Sequence, residues 1–150
     1  MEGDISLSGR VRIIIYHKEN GRLKPVEEHM VTNLVVTAGK SYICDLLIGA
    51  ATESFAYCGV GASAQTPSPS DTDLVSPIGS RKRVTDRFRV GCTATFSTFF
   101  GSQDNNGTWR EAGLFTSASG GVMLSRAVFP SPLIKDETKT VTLDWDIEVS

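Results

Sequence analysis

The sequence predicts a mainly β domain, an antiparallel β-sandwich with one α-helix at about residues 38–49, and three observations predict it. From Thr140 to Val149 the stretch "TVTLDWDIEV" alternates without a break. Val141, Leu143, Trp145, Ile147 and Val149 fall on one side and Thr140, Thr142, Asp144, Asp146 and Glu148 on the other, the two-residue period of a half-buried strand. The runs "CTATFSTFF" and "VMLSRAVF" are two more strands, set off by the turn-rich "GSQDNNGT" and "SASGG". Helical spacing occurs convincingly once, in "TAGKSYICDLLIGA". Short strands separated by turns, with a single helix, suit antiparallel sheets packed face to face.

The first element is a hairpin. A β-branched run from Val11 to Tyr16 leads to Asn20-Gly21, a pair that tolerates the positive φ of a two-residue turn. Pro25 has no N–H for a ladder, so the returning strand either starts after it or lies at an edge. In the helix, Thr37 is placed to cap, Tyr42, Ile43, Leu46, Leu47 and Ala50 recur at helical spacing, and Gly49 stands near the stop. "ESFAYCGVG" follows as a short buried strand. The Pro/Ser-rich loop at 62–76 has few large apolar side chains, so it is expected to be mobile in the isolated protein and to order against a neighbour. No repeat and no linker divides residues 1–150, which are expected to form a single domain.

Composition narrows the class. A chain of 150 residues can bury about 68–70% of its unfolded surface, enough for a true core. Charged residues are 21%, apolar ones 40%, and the net charge is -2, so no global field draws the chain to nucleic acid or anionic membrane. Cys44, Cys58 and Cys92 are odd in number and irregular in spacing, which fits reduced core thiols better than a disulfide framework or a zinc site. The start, "MEGDISLSGR", has neither a basic region nor an apolar run, and apolar stretches fall short of the ~20 residues of a membrane helix. The expectation is a soluble chain made in a cytoplasm.

Fragments of known motifs do not assemble into a catalytic or cofactor site. Gly39-Lys40-Ser41 opens a helix as a phosphate-binding loop would, but Leu34 stands where that loop needs its first glycine. Gly59-Val60-Gly61 with Ala64 matches a dinucleotide fingerprint, yet Pro67 and Pro69 follow where a helix is required. Asp71, Asp73 and Asp104 lack the ligand count of a calcium loop and suit turns instead. Asn106-Gly107-Thr108 is a glycosylation sequon without a secretion signal. His17 and His29 have no nearby nucleophile to activate. No enzyme activity, cofactor or metal is expected.

Two charged groups carry structural expectations. In an extended segment Trp109, Glu111, Gly113 and Phe115 share one face and Arg110, Ala112 and Leu114 the other. A carboxylate there is partly buried and needs donors or a cation, which makes Glu111 a structural tie with Arg126 of the following strand. Glutamine at 111 should then be tolerated and leucine should not. In "SRKRVTDRFRV", Arg81, Arg83, Arg87 and Arg89 share one parity and Val84, Phe88 and Val90 the other. This arginine row either faces water or meets the acidic row Asp144, Asp146 and Glu148, within one sheet or between subunits. Nucleic acid is disfavoured as its target by the negative net charge and by the lack of aromatics on the same face.

Four stretches in order, and a closing strand after them, resemble a known family. "VTNLVVTAGKSYICDLLIGA" is similar to an Asn-containing turn followed by a helix ending in Leu-x-Gly, and "CGVGASAQTPSPSDTDL" to a Val-Gly-x-Gly loop with an Asp-Thr-x-Leu element. "WREAGLF" and "GGVMLSRAVF" resemble a Glu-x-Gly-Leu-Phe strand and its Arg-containing partner, and "VTLDWDIEV" a closing strand with its Trp. Together, over about residues 30–149, they resemble small virion structural proteins of tailed bacteriophages, a group linked to tail, baseplate and fibre parts. The resemblance implies a non-enzymatic subunit that assembles in the tail, baseplate or neck, made in the host bacterial cytoplasm, with other virion proteins and its own copies as partners. A capsid decoration protein, or a carbohydrate-binding module for host attachment built around Trp109 beside "QDNNG", are the alternatives.

Overall fold

The computed structural model describes residues 5–150. Nine strands and one helix follow in the order β1 (Leu7–Glu19), β2 (Arg22–Val35), α1 (Thr37–Leu47), β3 (Tyr57–Gly61), β4 (Lys82–Arg83), β5 (Asp86–Val90), β6 (Thr93–Phe100), β7 (Gly107–Phe115), β8 (Met123–Lys135) and β9 (Lys139–Val149). All strands belong to one antiparallel sheet, in the order β4-β3-β7-β8-β2-β1-β9-β6-β5. The protein is therefore mainly β with one helix, as expected, but the sheet curls into a half-barrel and no two-layer sandwich forms. Alternation marks one buried face on strands such as β1 and β9; it is the same whether that face meets a second sheet or the far side of its own.

The curl is visible in the hydrogen bonds of one short segment. Between β4 and β5, which are the two edges of the sheet, Val84 N donates to Ala56 O at 2.8 Å and Thr85 N to Ser97 O at 2.7 Å. One turn of chain thus reaches both ends of the strand order. The concave face holds the core, with Val11, Ile13 and Ile15 of β1, Leu143, Trp145 and Ile147 of β9, and Cys58, Leu114 and Phe100 from the flanking strands. Val149, expected on that face, sits at the strand end and is exposed.

The hairpin turns where expected, with Asn20 at φ 50° and Gly21 at φ 78°. Strand β2 already begins at Arg22, and Pro25 lies within it, at a bulge opposite Tyr16. Beyond Asn33–Val35 the strand has no partner on its other side, so Pro25 occupies an edge.

The helix starts one residue before expectation, with Val36 rather than Thr37 in the capping position and no side-chain cap. Backbone bonds replace it: Val36 N donates to Leu124 O at 3.0 Å and Thr37 N to Pro69 O at 2.9 Å. Gly39 explains the phosphate-loop fragment differently, since a Cβ there would lie 2.6 Å from the Leu124 carbonyl oxygen. Only glycine lets α1 lie this close to β8. Tyr42 then meets Phe55 edge-on at 5.5 Å, and Phe55 meets Phe96 at 6.5 Å, joining the helix to the core.

Of the three cysteines, only Cys58 is a core thiol; Cys44 and Cys92 are exposed, on α1 and at the β5–β6 turn. Trp145 Nε1 donates to Cys58 Sγ at 3.3 Å, and burial pushes this thiol up to about 12. A thiol-reactive reagent at neutral pH is expected to modify two cysteines in the native protein and the third only after unfolding in urea. Rapid modification of all three in native buffer would contradict this placement.

Candidate functional site

The polar centre of the molecule is built on β7 and β8. In the ladder Arg126 stands opposite Gly113, two residues from Glu111 along β7, and the space a Gly113 side chain would take is filled by the Phe115 ring and Met123, each about 3 Å from where its Cβ would lie. Arg126 Nε donates to Glu111 Oε1 at 3.0 Å, and both side chains are fully buried. The expected pairing is present.

What it holds was not legible in the sequence. Val75 N donates to Glu111 Oε1 at 2.9 Å, while Ser63 N and Ser76 N donate to Oε2 at 3.1 and 2.8 Å. Arg126 Nη1 reaches the Gln65 carbonyl at 2.9 Å and Asp71 Oδ2 at 3.3 Å. The loop at 62–76 is therefore clasped at both ends and in its middle, contrary to the expectation of a mobile arm. Composition indicated correctly that the loop has little core of its own; the anchor lies more than thirty residues away in β7 and β8.

The same clasp accounts for other fragments. A Cβ at Gly61 would lie 2.5 Å from Glu111 Oε2 and 2.6 Å from the Ser76 carbonyl, so the glycine of the apparent dinucleotide fingerprint makes room for a carboxylate of this chain. Asp71 accepts from Ser68 N at 2.9 Å besides bonding Arg126, and Asp73 Oδ1 accepts from Leu74 N at 2.7 Å. Both act as turn and tie residues. Asp104 accepts from Gly101 N at 2.8 Å, and this bond, with Lys82 Nζ at 3.1 Å, holds its carboxyl below the usual range. Among the described residues no group of three or more His, Cys, Asp or Glu side chains is placed to hold a metal ion.

Glu111 and Trp109 do not share a face. A register shift in the β7–β8 ladder, with Trp109 opposite Leu133 and Glu111 opposite Val128, puts Trp109 in the main core with Ala112 and Leu114. Trp109 is wholly buried, packs edge-on to Phe100 at 4.9 Å and donates from Nε1 to the Asn105 carbonyl at 2.7 Å. It offers no exposed ring for a sugar.

The arginines do not form one row. Arg81 lies before β4 with its guanidinium 3.5 Å above the Phe115 ring, donating at 2.8 Å to the carbonyls of Ser117 and Gly120 and pairing with Asp73 at 3.3 Å. Arg83 on β4 reaches Tyr57 Oη at 3.2 Å. Arg87 and Arg89 are on β5, at the opposite edge of the strand order, and are exposed. Their cross-strand partners are Phe96 and Ala94, which face the core side, whereas Asp144 and Asp146 stand opposite Ser97 and Thr95 on the convex side. Parity within one segment was correct, but the parities of two separated strands carry no common origin until the ladder relates them.

Asp144, Asp146 and Glu148 have partners from other elements. Ser97 Oγ donates to Asp144 Oδ1 at 2.6 Å, and Thr95 Oγ1 to Asp146 Oδ1 at 2.7 Å. Arg10 Nε lies 3.7 Å from Asp146 Oδ2, and Arg12 stands opposite Asp144 while pairing with Glu28 at 3.4 Å. Glu148 stands opposite Ser8 and Thr93. The alternation Arg10, Arg12 against Val11, Ile13, Ile15 was the available signal for this basic partner strand. Changing Asp144 and Asp146 together to lysine is expected to cost about 1–3 kcal/mol by urea unfolding, through lost hydroxyl bonds and new repulsion from Arg10 and Arg12. Arg10→Glu with Arg12→Glu should recover part of it. Recovery by Arg87→Glu with Arg89→Glu instead would show that the convex face is wrongly paired.

Comparison of the chain with protein-family models, with curated proteins and with solved structures finds no match.

Proposed function

We propose that this chain is a non-enzymatic structural subunit of a tailed-phage virion, assembling in the tail, baseplate or neck through contacts with its own copies and with other virion proteins. The observation that carries the reading is where the resembling stretches meet. The Val-Gly-x-Gly loop contributes Gly61, the Asp-Thr-x-Leu element Asp71, the Glu-x-Gly-Leu-Phe strand Glu111 and its partner strand Arg126, and these four residues meet in one clasp centred on the fully buried Glu111 and Arg126. Polar atoms spent on holding a loop suit a structural subunit, because every oxygen of Glu111 already accepts from a protein donor.

The exterior supports subunit contact. All five residues of edge strand β5 are exposed, with apolar Phe88 and Val90 on one face and Arg87 and Arg89 on the other, so the four side chains are available to a neighbour. Electron microscopy of particles made without this protein tests the reading. Particles with missing or broken tails, baseplates or necks are expected. Intact tails on heads with altered stability would move the protein to capsid decoration, and complete, fully infectious particles would overturn the virion role.

A further inference from the structure

The sheet is split between β2 and β8. They pair only over Asn33–Val35 with Ser125–Ala127, after which β8 turns away through Pro130 and Pro132, neither of which can donate to a ladder. The split is a groove of about 600 Å³ with Ile13, Ile15, Val31, Phe129 and Leu133 among its lining residues. His17 and Lys139 are among its lining residues and stand opposite each other, Lys24 is the partner of His17 on β2, and Asp136 lies close enough to interact with both His17 and Lys139. Glu27, the only acid lining the groove among the described residues, is held by His29 at 3.0 Å.

The complementary feature lies toward the other end of the strands, where α1 leaves β2 after Val35. Its C-terminal turn projects Leu47 and Ile48, 81% and 79% exposed. These two apolar side chains are rigidly presented: Ile48 N donates to Cys44 O at 3.1 Å, Ala50 N to Asp45 O at 2.8 Å, and Gly49 takes φ 76° to close the turn. The charge around them is unusual for a helix C-terminus. The dipole end is negative, no base stands in the last turn, and exposed Asp45 and Glu53 add to the negative field.

We propose that the Leu47–Ile48 knob of one copy seats in the β2–β8 groove of the next. Apolar side chains enter an apolar floor, and Asp45, Glu53 and the helix C-terminus meet Lys139 of the groove and Lys24 beyond it. Because knob and groove lie toward opposite ends of the strands, the contact is heterologous and propagates head to tail into a ring or a stack. This rests on the subunit-assembly reading above and specifies its surface.

A mixing experiment tests it. In sedimentation velocity the wild type is expected to grow in size with concentration. Leu47→Glu with Ile48→Glu removes the knob, and Val26→Glu with Ile134→Glu, one change on each wall, removes the groove; all four positions are exposed, and circular dichroism checks that both variants fold. Each variant alone should bind itself at least tenfold more weakly than the wild type. Mixed in equal amounts, they should form a one-to-one dimer and nothing larger, because one intact knob and one intact groove remain. A mixture that stays monomeric, or a single variant that assembles like the wild type, overturns the pairing while leaving assembly by another surface in place. A wild type that is monomeric at every concentration also overturns it and points to an extended segment of a different protein as the groove's occupant; the virion role is then judged by the particle microscopy alone.

Discussion

Replacing Arg126 by leucine is expected to lower the unfolding free energy by about 3–5 kcal/mol, because it leaves a fully buried carboxylate without its cation. Glu111→Leu should cost a similar amount, stranding the guanidinium and the N–H groups of Ser63, Val75 and Ser76 together. The double leucine variant should cost less than the sum of the two, since neither charge is then left alone. Glutamine at 111, expected from the sequence to leave assembly largely intact, should still cost stability. Each carboxylate oxygen accepts from two donors, so the NH2 of glutamine must oppose two of them in either orientation, and a loss of about 1–3 kcal/mol follows. Urea midpoints give these values, and proteolysis gives a second readout. Cutting between Ala62 and Ser76 should be slow in the wild type and fast in both leucine variants. Leucine variants within about 0.5 kcal/mol of wild type would mean that the clasp does not hold the loop.

Trp109→Ala should be the other severe change, at about 3–5 kcal/mol, from the cavity left by a wholly buried indole and the loss of its edge-on contact with Phe100. Trp109→Phe keeps most of the ring volume but leaves the Asn105 carbonyl without its donor, so it should cost less. Calorimetric midpoints should fall roughly 2–4 °C for each kcal/mol lost in a domain of this size. The result bears on the carbohydrate alternative. A glycan-binding defect in Trp109→Ala would reflect unfolding rather than a lost sugar platform, and such a test has to use exposed residues of the 101–106 turn. A near-neutral Trp109→Ala would place the indole outside the core and revive the stacking role.

The candidate site was legible as a pair and illegible as a clasp. Glu111 lies in an extended segment with an arginine in the following strand, so a buried tie between the two could be inferred from local pattern, whereas the space at Gly113 is taken by Phe115 and Met123. That the tie holds the 62–76 loop depends on contacts thirty-five to sixty-one residues apart in sequence, for which no local signal exists. The arginine row failed for a related reason. Arg81, Arg83, Arg87 and Arg89 keep one parity only if the strand is continuous, and the chain bends between β4 and β5 to serve both edges of the sheet.

The sequence by itself determined the elements: a hairpin turning at Asn20-Gly21, a helix after Val36, a faultless β9, and the core faces of β1 and β9. These follow from backbone conformational preference and from side-chain period, both of which act within a few residues. Tertiary structure alone decided that the faces close on one curled sheet rather than two, that Arg10 rather than Arg87 stands near the acidic row, and that a Pro/Ser-rich loop is fastened rather than free. Each of these is a matter of which strand edges pair and in what register, and hydrogen bonds between backbone groups are the same for every pairing. The choice falls to the summed burial of distant side chains and to the buried Glu111 carboxylate, whose four donors come together only where β7, β8 and the 62–76 loop meet.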